Sequence, residues 1–338
     1  MPICTSCTHS TPFLYTVYES AYNLRLEPCA ACHAFADPYV EHDTLTLLLD
    51  LILLKRDVYR HLLFNRGRGA RKVGSSGNGP ESDALPHRRA SSRSPELKKS
   101  PKVWERAREK ARWYLIARLG MALLVLDAFI RWTHLNSRFD APQGSIPDWS
   151  IQTISSFLRI LVGCFVETAA FHAGIMIACY IVLWCLDLIQ PPEASHPSPA
   201  SGIRREFRYS HIPLTLFYSS LTKLFLLFLL AIWRPAPGEP NAALPITAEW
   251  HPLVGRALSV FDEDNLDREW IVRNVLGGMS AGFGLRVVLD CHPILTTSII
   301  LFGWAVKTLV AGMIGQWVGV GFGAHENAGE VWLAYSIP

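Results

Sequence analysis

Four cysteines near the start of the chain are the residues whose spacing points most directly to chemistry. Cys4-Thr5-Ser6-Cys7 and Cys29-Ala30-Ala31-Cys32 form two CxxC pairs separated by twenty-one residues. Each pair turns two thiolates to one side of a tight loop, and the intervening segment lets the loops face one another. The set therefore has the composition of a tetrahedral structural Zn²⁺ site. Two structural disulfides or a redox CxxC are the competing readings, but the redox motif belongs to a βαβ unit and neither pair sits in such a pattern. Between the pairs, Phe13-Leu14-Tyr15-Thr16-Val17-Tyr18 is aromatic and β-branched, which predicts a short hairpin strand. A head of about forty residues buries too little apolar area to fold alone, so the metal is expected to supply folding free energy.

A second group is chemically conspicuous for its surroundings. Glu167, His172, Lys223 and Lys307 lie within long apolar runs. At membrane depth each costs several kcal/mol unless paired or hydrated. They could line a polar path for lipid headgroups, form an interhelical pair such as Glu167 with Lys307, or snorkel to an interface. Catalysis is not expected. The chain has no GxSxG, HExxH, P-loop or Gly-rich dinucleotide turn. Glu167 and His172 are also about 140° apart around a helix, and Asp290-Cys291-His292 is too local to make a nucleophile with its base.

The elements that must position these residues follow from hydropathy. Half of the chain is hydrophobic, and the apolar residues collect after residue 113 in runs near twenty residues long, a membrane signature. The expected fold is an all-α polytopic membrane protein of four or five transmembrane helices carrying a small N-terminal zinc-ribbon-like head. Spans are expected at 113–132, 160–187, 213–233, 271–291 and 294–322. The fourth is the least clean, because it carries Arg273, Arg286 and Asp290. The apolar run 157–189 exceeds one upright span, which predicts a tilted or broken helix. Arg118 and Asp127 fall on opposite faces of the first span and are expected to snorkel to opposite surfaces. Gly278-x-x-x-Gly282 and Gly315-x-x-x-Gly319-x-x-x-Gly323 let helix backbones approach closely, more often within one chain than between two. Cys164, Cys179, Cys185 and Cys291 lie in or beside apolar runs, where cysteine acts as a small hydrophobe. The opening Met-Pro-Ile-Cys lacks an apolar h-region, so insertion is expected to use an internal span.

Between the head (1–42) and the spans, residues 43–65 read as one amphipathic helix. Asp43 suits its N-cap. Asp43, Thr46, Asp50, Asp57 and His61 form a polar stripe opposite Leu45, Leu48 and Ile52. Lys55, Arg56 and Arg60 could reach lipid phosphates from its flanks, which suits an interfacial helix; packing against the head or the spans is the alternative. Residues 66–112 carry fourteen Lys or Arg and five Asp or Glu, a net +9, and read as a cytosolic linker whose first half is disordered. Such a cluster also attracts anionic lipid at about 1 kcal/mol per cation. The loop 234–270 has three basic and seven acidic residues, a net −4 that fits the lumen. The linker is membrane-proximal and without interleaved aromatics, so nucleic acid is not an expected partner.

The cysteine pairs, together with Asp37-Pro-Tyr-Val-Glu-His-Asp43 and Lys55-Arg-Asp-Val-Tyr59-Arg60-His61-Leu-Leu-Phe64-Asn65, resemble the N-terminal homology domain of the Arv family of endoplasmic-reticulum membrane proteins of lipid homeostasis. A weaker echo runs from Ser219 to Trp233. The resemblance implies location in the endoplasmic reticulum, with the Golgi as a further site, and non-enzymatic participation in sterol movement, sphingolipid balance and the handling of glycosylphosphatidylinositol intermediates. The expected partners are those membrane lipids, with lipid-synthesising enzymes as further partners. The readings from other classes are a zinc-ribbon scaffold that recruits such an enzyme, or an intramembrane acyl- or glycosyl-transferase using Glu167 or His172. The expected lipid-contacting residues are Lys55, Arg56, Arg60, Glu167 and Lys223.

Overall fold

The computed structural model describes residues 1–18, 23–72, 101–139, 151–189, 202–232 and 271–319. In the head, strand β1 (Tyr15–Val17) pairs antiparallel with β2 (Leu24–Leu26), Tyr15 opposite Leu26. β1 also pairs in parallel with β3 (Ala70–Lys72), Tyr15 opposite Ala70, giving the order β2-β1-β3. Residues 66–72, whose composition reads as linker, thus close the head's sheet. Gly69 makes this possible. Its φ is +77°, its carbonyl accepts the Leu14 N–H at 2.8 Å, and a Cβ there would meet Leu14 Cγ at 2.7 Å.

The expected single helix over 43–65 is instead a helical hairpin. Helix α1 (Thr44–Ile52) starts at Asp43, whose carboxylate accepts the Thr46 N–H at 3.1 Å. It ends at Leu53–Leu54. Lys55 N–H donates to Asp50 O at 3.0 Å and Leu54 N–H to Leu51 O at 3.1 Å, with Leu54 at φ +57°. That is a Schellman stop in which leucine occupies the left-handed position glycine usually fills, so periodicity gave no warning of it. Helix α2 (Arg56–Arg60) then runs back and continues as a π turn, His61–Asn65. The orientation of α1 also departs from a helix lying across a surface. The Thr222 hydroxyl donates to Ile52 O at 2.9 Å, and Thr222 lies about 16 Å along its own helix from His211. The hairpin therefore lies along the flank of the bundle. Of its polar stripe, Asp50 is buried against Tyr39 and His61 is buried, while Asp43 is exposed along with Leu45, Leu48, Leu49 and Leu53.

The bundle comprises α3 (Pro101–Phe139), α4 (Ile151–Ile189), the short α5 (Gly202–Glu206), α6 (His211–Ile232), α7 (Gly277–Leu289) and α8 (Pro293–Gly319). A π turn, Val272–Leu276, leads into α7. Four helices are long and apolar enough to cross a membrane: α3, α4, α6 and α8. The fifth segment, 271–289, lies antiparallel to α6. Gly284 meets Thr215 and Ser219 near one end, and Gly277 meets Lys223 towards the other. It spans about 28 Å, close to the ~30 Å hydrocarbon thickness, so all five segments traverse the bundle and the end of α8 lies on the face opposite the head. The run expected to be tilted or broken is one unbroken helix, α4, and Gly278 and Gly282 both face Ile300 of α8, a packing within the chain. Helix α3 begins at Pro101, inside the expected linker. Residues 73–100, the acidic loop 234–270 and Gly323 lie outside the described residues.

Head and bundle share one core. Ile3, Tyr59, Leu63 and Phe64 pack with Ile203, Leu214, Tyr218, Val287 and Val288. Facing outward are Phe129, Phe165, Tyr180, Leu309 and Met313, while Arg131 and Glu167 are buried. This inside-out distribution is what lipid as solvent demands.

Candidate metal centre and intramembrane cavity

The two CxxC loops are built alike. Cys4 N–H donates to His9 O at 2.8 Å and Thr8 N–H to Cys4 O at 3.0 Å. In the second loop Cys29 N–H donates to Ala34 O at 2.7 Å and His33 N–H to Cys29 O at 2.9 Å. Thr8 and His33 take matching left-handed conformations, φ +64° and +59°. The sulfurs of Cys4, Cys7, Cys29 and Cys32 all lie within 4.8 Å of one another, with Cys4–Cys32 at 3.7 Å and Cys7–Cys29 at 3.6 Å. A tetrahedral tetrathiolate site with metal–sulfur bonds near 2.3 Å sets its sulfurs about 3.8 Å apart. The cluster therefore fits a metal ion, and all four cysteines are free rather than disulfide-bonded. Burial pushes the Cys4 thiol up to about 12. At Cys29 burial is outweighed by N–H donors of Cys32 and Ala31, which bring it down to about 7. The cluster cannot easily hold four thiolates unless a cation offsets their charge.

The first loop is clamped by α2 and its π turn. Arg60 is buried, and its Nη1 donates to Thr5 O at 2.5 Å and Ser6 O at 2.9 Å. Asn65 accepts the Ile3 N–H at 2.9 Å and returns a bond to Ile3 O at 2.8 Å. The same amide and the His61 Nδ1 donate to Asp37 Oδ2 at 2.7 and 2.8 Å. Arg60 therefore points into the head and not, as its place in the sequence suggested, towards lipid phosphates. Lys55 pairs with Asp50 at 2.7 Å on the surface, and Arg56 is exposed. Sequence periodicity missed this clamp because it placed Arg60 and His61 on one continuous helix.

Farther along the bundle the ionisable residues gather around a cavity of about 140 Å³ between α3, α4, α6, α7 and α8. Arg131 is central: it pairs with Asp127 at 3.0 Å and with Glu167 at 3.0 Å, and Asp127 also meets Arg273 at 3.5 Å. Glu167 is thus held by Arg131 and not by the expected Lys307, and Asp127 turns inward instead of snorkelling. The Asp127-x-x-x-Arg131 spacing was the available signal, since residues four apart share a helix face. Lys223 and Lys307 line the same cavity, as do His172 and Asn274. The His172 Nδ1 donates to Thr168 O at 2.8 Å, and its ring packs 4.5 Å from that of Phe217. A second cleft, where the head meets α3 and α5, is lined by Arg68, Arg108, Arg112, Glu206 and Arg208, with Arg68 paired to Glu206 at 2.7 Å.

Comparison with known proteins matches this arrangement to one family. A profile of the Arv1-like family covers residues 3–243. Protein ARV1 of Candida albicans is 42% identical over 77 residues, 22% of this chain and 26% of that protein. Protein ARV1 of Saccharomyces cerevisiae is 44% identical over 63 residues, 19% of each. Protein ARV1 of Mus musculus is 25% identical over 198 residues, 58% of this chain and 53% of its own length. The chain thus spans about a quarter or less of those fungal relatives and about half of the mouse one. No solved structure matches it. The fungal alignments have the length of the head and its clamp, the profile runs on through α6, and on that extent the chain belongs to the Arv1-like family.

Proposed function

We propose that the protein mediates lipid handling in the endoplasmic-reticulum membrane without catalysing a reaction. What it handles, on this reading, are sterols, sphingolipids and glycosylphosphatidylinositol intermediates. Its head faces the cytosol, as the net +9 of residues 66–112 favours, and Zn²⁺ is the ion in its cysteine site, the metal that four thiolates in tetrahedral array suit best. Family membership supports the reading. The observation that carries it is the shared core: the head that bears the four-cysteine cluster is packed into the helices that enclose a charged cavity. The contacts of Glu167 with Arg131 and of His172 with Thr168 are those of fixed, packed groups, which favours binding over proton transfer.

The test is rescue of sterol distribution in cells lacking the protein. A Cys4→Ser, Cys7→Ser variant is expected to insert in the endoplasmic reticulum and to fail in rescue, whereas Glu167→Gln is expected to be milder. The reverse order, with both variants well expressed, would move the working site into the membrane. Full rescue by both would sink the reading.

A further inference from the structure

We infer that the intramembrane cavity is a binding site for a phosphate group, held by Lys223 of α6, Lys307 of α8 and the side-chain amide of Asn274 in the turn before α7. The inference rests on the lipid-handling reading and names the chemistry that reading leaves open.

The first ground is charge. Arg131, Lys223, Arg273 and Lys307 line the cavity with Asp127, and Glu167 lies behind Arg131. Among the described residues, four cations face two carboxylates. The carboxylates are engaged by the arginines: Asp127 by Arg131 and Arg273, Glu167 by Arg131. Among the described residues, no carboxylate lies within 4.0 Å of either lysine ammonium. Two cations left uncompensated at membrane depth cost several kcal/mol, and an anion between them removes that cost.

The second ground is geometry. Gly277 leaves room for the Lys223 stem, since a Cβ there would lie 3.2 Å from Lys223 Cδ. Asn274 is only 4% exposed, and its Nδ2 has no hydrogen-bond acceptor among the described residues. A buried amide donor left unmade costs about 1–3 kcal/mol, so an acceptor is the missing partner. The cavity's ~140 Å³ is far more than the ~15 Å³ one water requires.

These donors come from three different elements, and a group with several acceptor oxygens can reach them together. A phosphate does this. A sterol hydroxyl offers one oxygen and no charge, and a carboxylate offers two oxygens on one side. The phosphate could be borne by a lipid headgroup or be free in solution.

The experiment uses the full chain in maltoside micelles, which contain no phosphate. Binding is measured for radiolabelled dioctanoyl-phosphatidylinositol, inorganic phosphate, octanoate and dioctanoylglycerol. The phosphatidylinositol or inorganic phosphate should bind, and the more tightly bound of the two names the source. Lys223→Met and Lys307→Met should each weaken that binding at least ~10-fold, as loss of a charge-assisted bond does, and Lys223→Arg should retain it. Neither methionine variant should lower the thermal midpoint. Lowered midpoints with unchanged affinity would mean that the lysines only balance charge within the bundle, and would overturn the inference. So would octanoate or dioctanoylglycerol binding as tightly as the phosphate ligands, or no binding at all. Because binding in micelles is independent of rescue in cells, loss of the lipid-handling reading with binding intact would leave this site standing, and the converse would remove the site alone.

Discussion

At the scale of single residues, Arg60 shows how context decides a role. A basic residue beside an apolar helix suits lipid phosphates, yet here the guanidinium is buried beneath the first cysteine loop and bridges two of its carbonyls. Both bonds come from one nitrogen, Nη1, whose two hydrogens each reach a carbonyl. Replacing it with methionine should leave the four sulfurs in place but loosen the loop, lowering metal affinity ~10–100-fold, as loss of an outer-shell partner does. Competition against a chelator with the full chain reads this directly; unchanged affinity would remove Arg60 from the site. The cysteines carry a pH prediction of their own. The metal binds thiolates, and burial holds the Cys4 thiol at about 12 in the metal-free head, so binding must release protons. Affinity should rise with pH and fall as acid reprotonates the sulfurs. Proton release measured in weakly buffered solution checks the sign.

At the scale of elements, the α1–α2 hairpin is the part whose position matters most. Its exposed leucines and its bond to Thr222 place its tip along α6, about half of the ~30 Å hydrocarbon thickness from the His211 end. A Leu53→Cys thiol should therefore resist a membrane-impermeant maleimide in intact microsomes and react once detergent is added. Rapid labelling without detergent would show the tip in water. The helix contacts make a second forecast. A Cβ at position 303 would lie 2.5 Å from Ile175 Cγ1, so Gly303→Val must push α8 from α4, at about 1–3 kcal/mol for an overpacked core. A fall in the thermal midpoint reads it; an unchanged midpoint would mean the two helices separate freely.

For the whole molecule, five alternating segments put the end of α8 on the face opposite the head. If the head is cytosolic, protease added to intact microsomes should cut within 66–112, and a glycosylation acceptor appended after Pro338 should be modified. An unmodified acceptor would show that an even number of segments cross. The sequence alone determined the parts that depend on local composition. The tetracysteine set was legible because its ligands are strung at fixed short spacings, and the long apolar helices were legible because a membrane imposes their length. The family was equally legible, since its motif is contiguous from the cysteines to Asn65. What only the tertiary structure decided depends on groups far apart in the chain. The hairpin turn at Leu54 has no glycine to announce it, because left-handed strain there is tolerated once packing of α1 on α6 and of α2 on α7 supports the two arms. Head and bundle are one body because Ile3 and Phe64 find Leu214 and Val288, contacts no periodicity encodes. The pairing of Glu167 with Arg131, and not with Lys307, followed from which helix faces meet. Charge in a low-dielectric interior is settled by the nearest partner in space.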